Sequence, residues 1–132
     1  MTPLVLMVDD DADVLAIGRH ALEAHGYRVM CCFGAEEALE GMAEERPDLV
    51  VTDLMMHELD AGFALARRMR ADARLAHVPV IVMTGVASQL GFDFRPRGAA
   101  DLAAMGVAAF LEKPVKAEVL VARVGEVLAA RQ

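Results

Sequence analysis

Five short apolar runs alternate along the chain with segments of helical spacing, and this alternation constrains the fold more than any other feature. Within most of the runs the apolar residues are continuous, which is typical of strands covered on both faces. Each helical segment returns the chain to the same edge of the sheet, so parallel strands with helices on both faces are expected. The predicted strands are Leu4–Val8, Tyr27–Phe33, Leu49–Thr52, Val78–Thr84 and Val107–Leu111.

The helices are predicted from apolar spacing and from residues that begin or end a helix. The first helix would begin at an N-cap supplied by Asp11 or Asp13 and end at Gly26. Its predicted apolar stripe is Val14, Ile17, Ala21 and Leu22. Later helices are predicted over 35–45, around 63–69, over 99–105, and after Pro114, the last with a stripe of Val115, Val119, Leu120, Val124, Val127 and Leu128. The expectation is one α/β domain, residues 1–132, with five strands and five helices.

Composition excludes several classes of function. The chain has 132 residues, with 20 acidic and 13 basic side chains giving a formal charge of −7, which argues against direct binding to a nucleic acid backbone. No apolar run approaches the ~18–20 residues of a membrane span, and no secretory signal is evident, so we expect a cytoplasmic protein. Cys31 and Cys32 are adjacent, which suits neither a disulfide nor a zinc site, and we interpret them as apolar strand residues.

Four of the five predicted strands end in a residue suited to phosphoryl chemistry. Asp9 and Asp10 follow the first strand, Asp53 the third, Thr84 ends the fourth, and Lys113 follows the fifth. Because ligands of open α/β sheets bind at the carboxyl ends of the strands, these side chains are expected on one rim. Helix capping could explain one such residue, but it does not explain all of them together.

The chemistry of this set is coherent. Two like charges about 4 Å apart repel by roughly 4 kcal/mol at an effective dielectric constant near 20, so three carboxylates require a cation. Oxygen ligands with room for water suit Mg²⁺, or Mn²⁺ in its place. Asp53 would then be a nucleophile towards phosphorus, with Thr84 and Lys113 contacting the transferred phosphoryl group. The product would be an aspartyl phosphate.

Four segments lie at the ends of the first, third, fourth and fifth predicted strands: "VDDD", "VVTD", "VMTG" and "FLEKP". In the order and spacing of these segments, the chain resembles a two-component response-regulator receiver domain. The resemblance covers the whole chain and implies a flavodoxin-like sheet of order 2-1-3-4-5. It implies that Asp53 is the phospho-acceptor. Asp10 would bind Mg²⁺ directly, Asp9 largely through water, and the backbone carbonyl of Met55 would be a further ligand.

The resemblance also implies how phosphorylation changes the structure around the site and which partners are involved. Thr84 and Lys113 would contact the phosphoryl group, and Phe110 would turn inward when Thr84 moves towards it. The Lys113–Pro114 peptide bond would be cis. The implied partners are a sensor histidine kinase or histidine phosphotransfer protein and a downstream protein target, with the chain a monomer or weak dimer.

Four features depart from the family pattern. His57 stands where the family usually has proline, and it is either an exposed loop residue or one that touches the site. Ala61 is an extra residue between Asp60 and Gly62. The side chains of Met55 and Val86 are apolar and cannot orient a hydrolytic water, so we predict slow hydrolysis of the phosphorylated state. Residues 85–98 form a longer segment than usual, which is either a remodelled docking surface or a mobile loop.

The leading interpretation is therefore a phosphorylation-dependent signalling switch that does not act on an external substrate. An aspartate-nucleophile phosphatase is less favoured, because it needs a second aspartate at the position of Met55. A dinucleotide-binding domain lacks its G-x-G-x-x-G motif. A phosphate-independent interaction module with the same fold stays open as an alternative.

Overall fold

The computed structural model describes residues 2–54, 61–85 and 107–131, which contain one parallel sheet of five strands. The strand order is β2-β1-β3-β4-β5, and every neighbouring pair is parallel. The strands are β1 (Leu4–Val8), β2 (Arg28–Cys32), β3 (Leu49–Asp53), β4 (Val80–Thr84) and β5 (Val107–Glu112). The predicted doubly wound α/β fold and its strand order are confirmed.

Four helices lie within the described residues: α1 (Ala12–Ala24), α2 (Ala35–Glu44), α3 (Ala61–Ala71) and α4 (Ala117–Ala130). The fourth predicted helix, over 99–105, falls outside the described residues. Ala61, the extra residue of the turn after β3, is the first residue of α3 and is buried. Among the four helices, none combines the length and the apolar character needed to cross a bilayer.

The core consists of two apolar layers, one on each face of the sheet. Every residue of the central strands β1, β3 and β4 is buried. Along β1, Leu6 and Val8 face the layer shared with α2 and α3, whereas Val5 and Met7 face the layer shared with α1 and α4. Coverage on both faces is the reason why these strands are continuous apolar runs rather than alternating ones.

The buried face of α1 differs from the predicted stripe. The buried residues are Leu15, Gly18 and Leu22, and Ile17 is 60% exposed. A Cβ on Gly18 would lie 2.7 Å from Sδ of Met7, so the missing side chain lets α1 lie close to β1. The prediction holds for Leu22 but is wrong for Ile17. A search for apolar spacing does not count a glycine, so it missed the contribution of Gly18 to the buried face.

Two edges of predicted elements also need correction. Tyr27 and Phe33 lie outside β2, and Phe33 is 52% exposed because its strand is at the edge of the sheet. In the closing segment, Val115 precedes α4 and Val119 is 42% exposed. Leu120 and Val124 are the buried residues of that helix. Tyr27 and Val115 pack against the core from outside these elements, whereas Phe33 and Val119 are exposed.

The N-cap of the first helix is one of the two residues that the sequence predicted, Asp11 or Asp13. Asp11 is the N-cap of α1, and its carboxylate accepts a hydrogen bond of 2.9 Å from the backbone N–H of Asp13. After the helix, Gly26 has φ of 90°, a conformation that favours glycine, and the chain turns there into β2. Both observations agree with the predicted start and end of this helix.

Candidate phosphoryl-transfer site at the carboxyl edge of the sheet

Backbone hydrogen bonds between strand ends hold the candidate residues on one rim. The N–H of Asp9 donates to the carbonyl of Cys32 at 3.1 Å. The N–H of Leu54, directly after Asp53, donates to Met83 at 2.8 Å, and that of Lys113 donates to Thr84 at 2.9 Å. These bonds prolong the parallel ladders past β1, β3 and β5, so the residues at the strand ends face one another.

Three carboxylates form an acidic cluster, Asp9, Asp10 and Asp53. One oxygen of each lies within 4.8 Å of the others. Asp9 and Asp53 are buried, whereas Asp10 is exposed. A set of carboxylate oxygens open to solvent on one side fits a hard divalent cation that keeps several waters, such as Mg²⁺.

The ammonium of Lys113 lies between two members of the acidic cluster. Its Nζ is 2.8 Å from Oδ2 of Asp9 and 3.2 Å from Oδ2 of Asp53. Burial lowers the pKa of Lys113, but the hydrogen bonds and negative charges of Asp9 and Asp53 outweigh it, so the pKa is raised above its ordinary value. The sequence predicted a phosphoryl contact for this lysine, and it did not reveal that the lysine also pairs two carboxylates.

Asp11 belongs to the helix rather than to the cluster. Its backbone N–H donates to Oδ1 of Asp9 at 2.9 Å, which helps to fix that buried carboxylate. Its own side chain caps α1, as described above. Of the three consecutive aspartates, two therefore lie in the acidic cluster and the third turns the chain into a helix.

The residues proposed to read out the site lie on neighbouring strands. Thr84 is buried at the end of β4, and Phe110 is half-buried in β5. The ring of Phe110 packs edge-to-face on Phe63 of α3, with ring centroids 5.8 Å apart and an interplanar angle of 84°. The Lys113–Pro114 peptide bond is cis.

The first turn of α3 lies directly against the strand that carries Asp53. The N–H of Gly62 donates to the carbonyl of Leu54 at 2.8 Å. A Cβ on Gly62 would lie 2.7 Å from the carbonyl oxygen of Asp53 and 2.9 Å from Cα of Leu54. Sequence reasoning gave no role to Gly62 or to the aromatic residue after it, although a glycine directly before an aromatic residue at a helix start was visible.

A cavity of about 450 Å³ adjoins the rim between α1 and the start of α4. Asp53 and Lys113 are among its lining residues. Its other walls are largely apolar and include Val14, Ile17 and Leu120. The exposed Ile17 therefore lies at a cavity that opens from the candidate site.

Several predicted features fall outside the described residues. They are the Met55 carbonyl, the His57 and Val86 positions, and nearly all of the 85–98 segment with its phenylalanines and arginines. Their predicted roles stay predictions.

Comparison with known proteins agrees with this fold. The family model for the response regulator receiver domain matches residues 5–125. The chain belongs to this family, whose members are signalling switches that generally bind Mg²⁺ at a cluster of acidic residues. The expected family is thereby confirmed.

Similar proteins include regulators of several kinds. The chain is 37% identical over 130 residues to the transcriptional regulatory protein PrrA of Mycobacterium tuberculosis, covering 98% of this chain and 52% of PrrA. It is 30% identical to the polar-differentiation response regulator DivK of Brucella ovis, covering 87% of each. The chain thus spans about half the length of PrrA.

Among solved structures, the signal receiver domain of a signal transduction histidine kinase from Syntrophus aciditrophicus is 30% identical. It has a TM-score of 0.77 and covers 97% of this chain and 91% of that one. The chemotaxis response regulator CheY4 of Vibrio cholerae, 24% identical with a TM-score of 0.80, shares the fold. It covers 96% of this chain and 99% of that one.

Proposed function

We propose that Asp53 accepts a phosphoryl group from a histidine kinase or a histidine phosphotransfer protein. The observation that carries this proposal is the position of Asp53 within the acidic cluster, with the Lys113 ammonium 3.2 Å from its Oδ2. A buried carboxylate held beside a cation at a strand end is the arrangement that an in-line attack on phosphorus needs.

Each residue of the rim has a task in this reaction. A carboxylate oxygen of Asp53 attacks phosphorus, the P–N bond of the phosphohistidine breaks, and its electron pair stays on the imidazole. Lys113 and the hydroxyl of Thr84 offset the negative charge that the phosphoryl oxygens carry. Asp9 is fixed by the N–H of Asp11 and by Lys113, so it keeps the lysine in place.

The acidic cluster also supplies the ligands for a divalent cation. Asp9, Asp10 and Asp53 would hold Mg²⁺, with the Met55 carbonyl as the predicted backbone ligand. When bound, the cation neutralises carboxylate charge and polarises the phosphoryl oxygens. Asp10 is the exposed member of the cluster, so the ion can enter the site from the solvent on the side where Asp10 lies.

We place the switch in the cytoplasm, where a kinase that uses ATP can meet it. Phosphorylation of Asp53 would draw Thr84 towards the phosphoryl group and shift the ring of Phe110. The altered surface would then bind a downstream protein. The names of relatives such as PrrA concern transcription, and in this proposal any such output is reached through a protein partner.

Incubation with acetyl phosphate and Mg²⁺, followed by intact-mass measurement, tests the proposal. The wild-type chain should gain the mass of one phosphoryl group, and Asp53→Asn should gain none. Asp72→Asn is the matched control, because it removes an exposed aspartate that lies outside the acidic cluster. It should be labelled like the wild type.

Two outcomes would replace the proposal with an alternative. Absence of any mass gain in the wild type, at saturating Mg²⁺, would favour an interaction module that does not use phosphate. Continuous release of phosphate from phosphomonoesters, lost in Asp53→Asn, would favour a phosphatase.

A further inference from the structure

The first turn of α3 touches both the acceptor strand and the ring proposed to read out the site. Gly62 lies on the backbone of Asp53 and Leu54, and the next residue, Phe63, lies on Phe110. The two contacts come from adjacent residues of one helical turn. They join β3 to β5 on the α2 and α3 face of the sheet, separately from the predicted coupling of Phe110 to movement of Thr84.

We propose that Gly62 and Phe63 are positioning residues, which make the first turn of α3 a mechanical link between Asp53 and Phe110. The inference rests on the proposed function, because it concerns how the state of Asp53 reaches the ring. Gly62 fixes where the turn lies relative to the acceptor. Phe63 fixes where the ring of Phe110 lies relative to the turn.

The requirement at Gly62 is steric. The three heavy atoms nearest to a Cβ placed on Gly62 would all belong to the backbone of Asp53 and Leu54, the closest at 2.7 Å. A methyl group there would therefore have no flexible side chain to displace. The N–H of Gly62 also donates to Leu54 at 2.8 Å, which satisfies one of the helix N–H groups that have no partner within the helix. Any residue with a Cβ must therefore move the turn away from the acceptor strand.

The contact at Phe63 is directional. Its ring is buried, and it meets the half-buried ring of Phe110 edge-to-face at 84°. Edge-to-face pairs depend on ring orientation, because the positive edge of one ring faces the negative face of the other. A shift of the helical turn therefore changes the preferred orientation of Phe110, whereas an aliphatic residue at position 63 would impose no such preference.

Linkage gives the proposal a measurable consequence. If Phe63 favours the Phe110 orientation that accompanies an occupied acceptor, then replacing Phe63 must weaken binding at Asp53 by the same factor. Phe63 is not part of the acidic cluster, so a purely structural role would leave that affinity unchanged. The two roles therefore differ in a binding constant.

The test is beryllofluoride binding in the presence of Mg²⁺, with the carbon-13 aromatic signal of Phe110 followed in the same titration. In Phe63→Leu we expect affinity to fall about two- to ten-fold, the range that corresponds to an aromatic pair. Phe110→Leu should weaken binding similarly, and the double variant should be no weaker than either single one. In Gly62→Ala the Phe110 signal should shift without ligand.

Met69→Leu is the matched control, since it alters a buried side chain in the last turns of the same helix. It should retain wild-type affinity, even if it unfolds at a lower denaturant concentration. Unchanged affinity in Phe63→Leu, or additive losses in the double variant, would overturn the link while the wild type still binds. Failure of the wild type to bind would overturn the proposed function itself, and the link with it.

Discussion

At the scale of single residues, Lys113 balances the charge of the rim. Its ammonium contacts Asp9 at 2.8 Å and Asp53 at 3.2 Å. Asp9 is fully buried, so its charge is costly without a partner. One lysine therefore contributes both to the stability of the folded chain and to the proposed phosphoryl transfer.

We predict that Lys113→Met lowers the free energy of unfolding by about 3 kcal/mol in EDTA, because it removes the ion-pair partner of the buried Asp9 carboxylate. Urea titration followed by circular dichroism measures the loss. Lys116→Met is the control, since it removes the same charge from a lysine outside these ion pairs, and it should change stability by less than about 0.5 kcal/mol. An equal loss in both variants would contradict the pairing role.

At the scale of elements, the orientation of α1 follows from a glycine. Leu15, Gly18 and Leu22 face the sheet, and Ile17 faces the cavity beside the rim. A prediction that considers only apolar side chains assigns the wrong orientation to the helix and places Ile17 in the core.

Leu15→Ala should therefore cost about 2–5 kcal/mol of unfolding free energy, as expected for a buried leucine. Ile17→Ala should cost no more than about 0.5 kcal/mol, since the side chain is mostly exposed. The pair of variants, compared by chemical denaturation, checks the rotation of α1 directly. Comparable losses at both positions would mean that the helix is buried on the face predicted from apolar spacing.

Asp48 ties three elements together at the opposite end of the sheet. Its Oδ2 accepts a hydrogen bond of 2.8 Å from the N–H of Leu4, and its Oδ1 is 2.9 Å from Nη1 of Arg131. Burial raises the pKa of this carboxyl, but the Leu4 and Arg131 contacts together lower the pKa by more than burial raises it. The net pKa therefore lies below its ordinary value of 3.8.

A carboxyl with a depressed pKa stabilises the folded state above its unfolded pKa, and the contribution is lost as the pH falls through the folded pKa. The wild type should therefore lose stability more steeply than Asp48→Asn below about pH 4. The difference should be about 0.5–1 kcal/mol near neutrality, because the pair is partly exposed, and should vanish in strong acid. Parallel stability curves for the two proteins would contradict this.

The sequence predicted the sheet well because its strands are buried on both faces. Continuous apolar runs such as Leu4–Val8 have no other common explanation in a domain that alternates strands and helices. It also predicted that Asp9, Asp53 and Lys113 lie together on one rim, because a strand end is a fixed place in such a fold. What decides these predictions is local in sequence.

The parts that could not be predicted depend on contacts between distant segments. The pairing of Lys113 with Asp9 spans 104 positions, and the contact of Gly62 with the backbone of Asp53 depends on how α3 meets β3. The Phe63–Phe110 geometry likewise needs two elements to be placed first. Such distances follow from the packing of helices on the sheet. Apolar periodicity predicts which face of a helix is buried, but it does not predict how close the helix lies to a strand.

At the scale of the whole molecule, the proposed reaction site and a set of stabilising contacts lie at opposite ends of the sheet. The carboxyl edge gathers the acidic cluster, Thr84 and Lys113, and the opposite end is fixed by Asp48 and its partners. The buried central strands between the two ends place these strand-end groups together on one rim. Of the 20 acidic residues, Asp53 is the one that we propose as the phospho-acceptor.

Borohydride trapping after treatment with acetyl phosphate and Mg²⁺ shows which carboxylate is phosphorylated. Borohydride reduces an aspartyl phosphate to homoserine and leaves a free carboxylate intact, so peptide mapping identifies the acceptor by mass. We predict homoserine at position 53 alone, and none when Mg²⁺ is replaced by EDTA. Homoserine at Asp9 or Asp10, or at no position in the presence of Mg²⁺, would contradict the account.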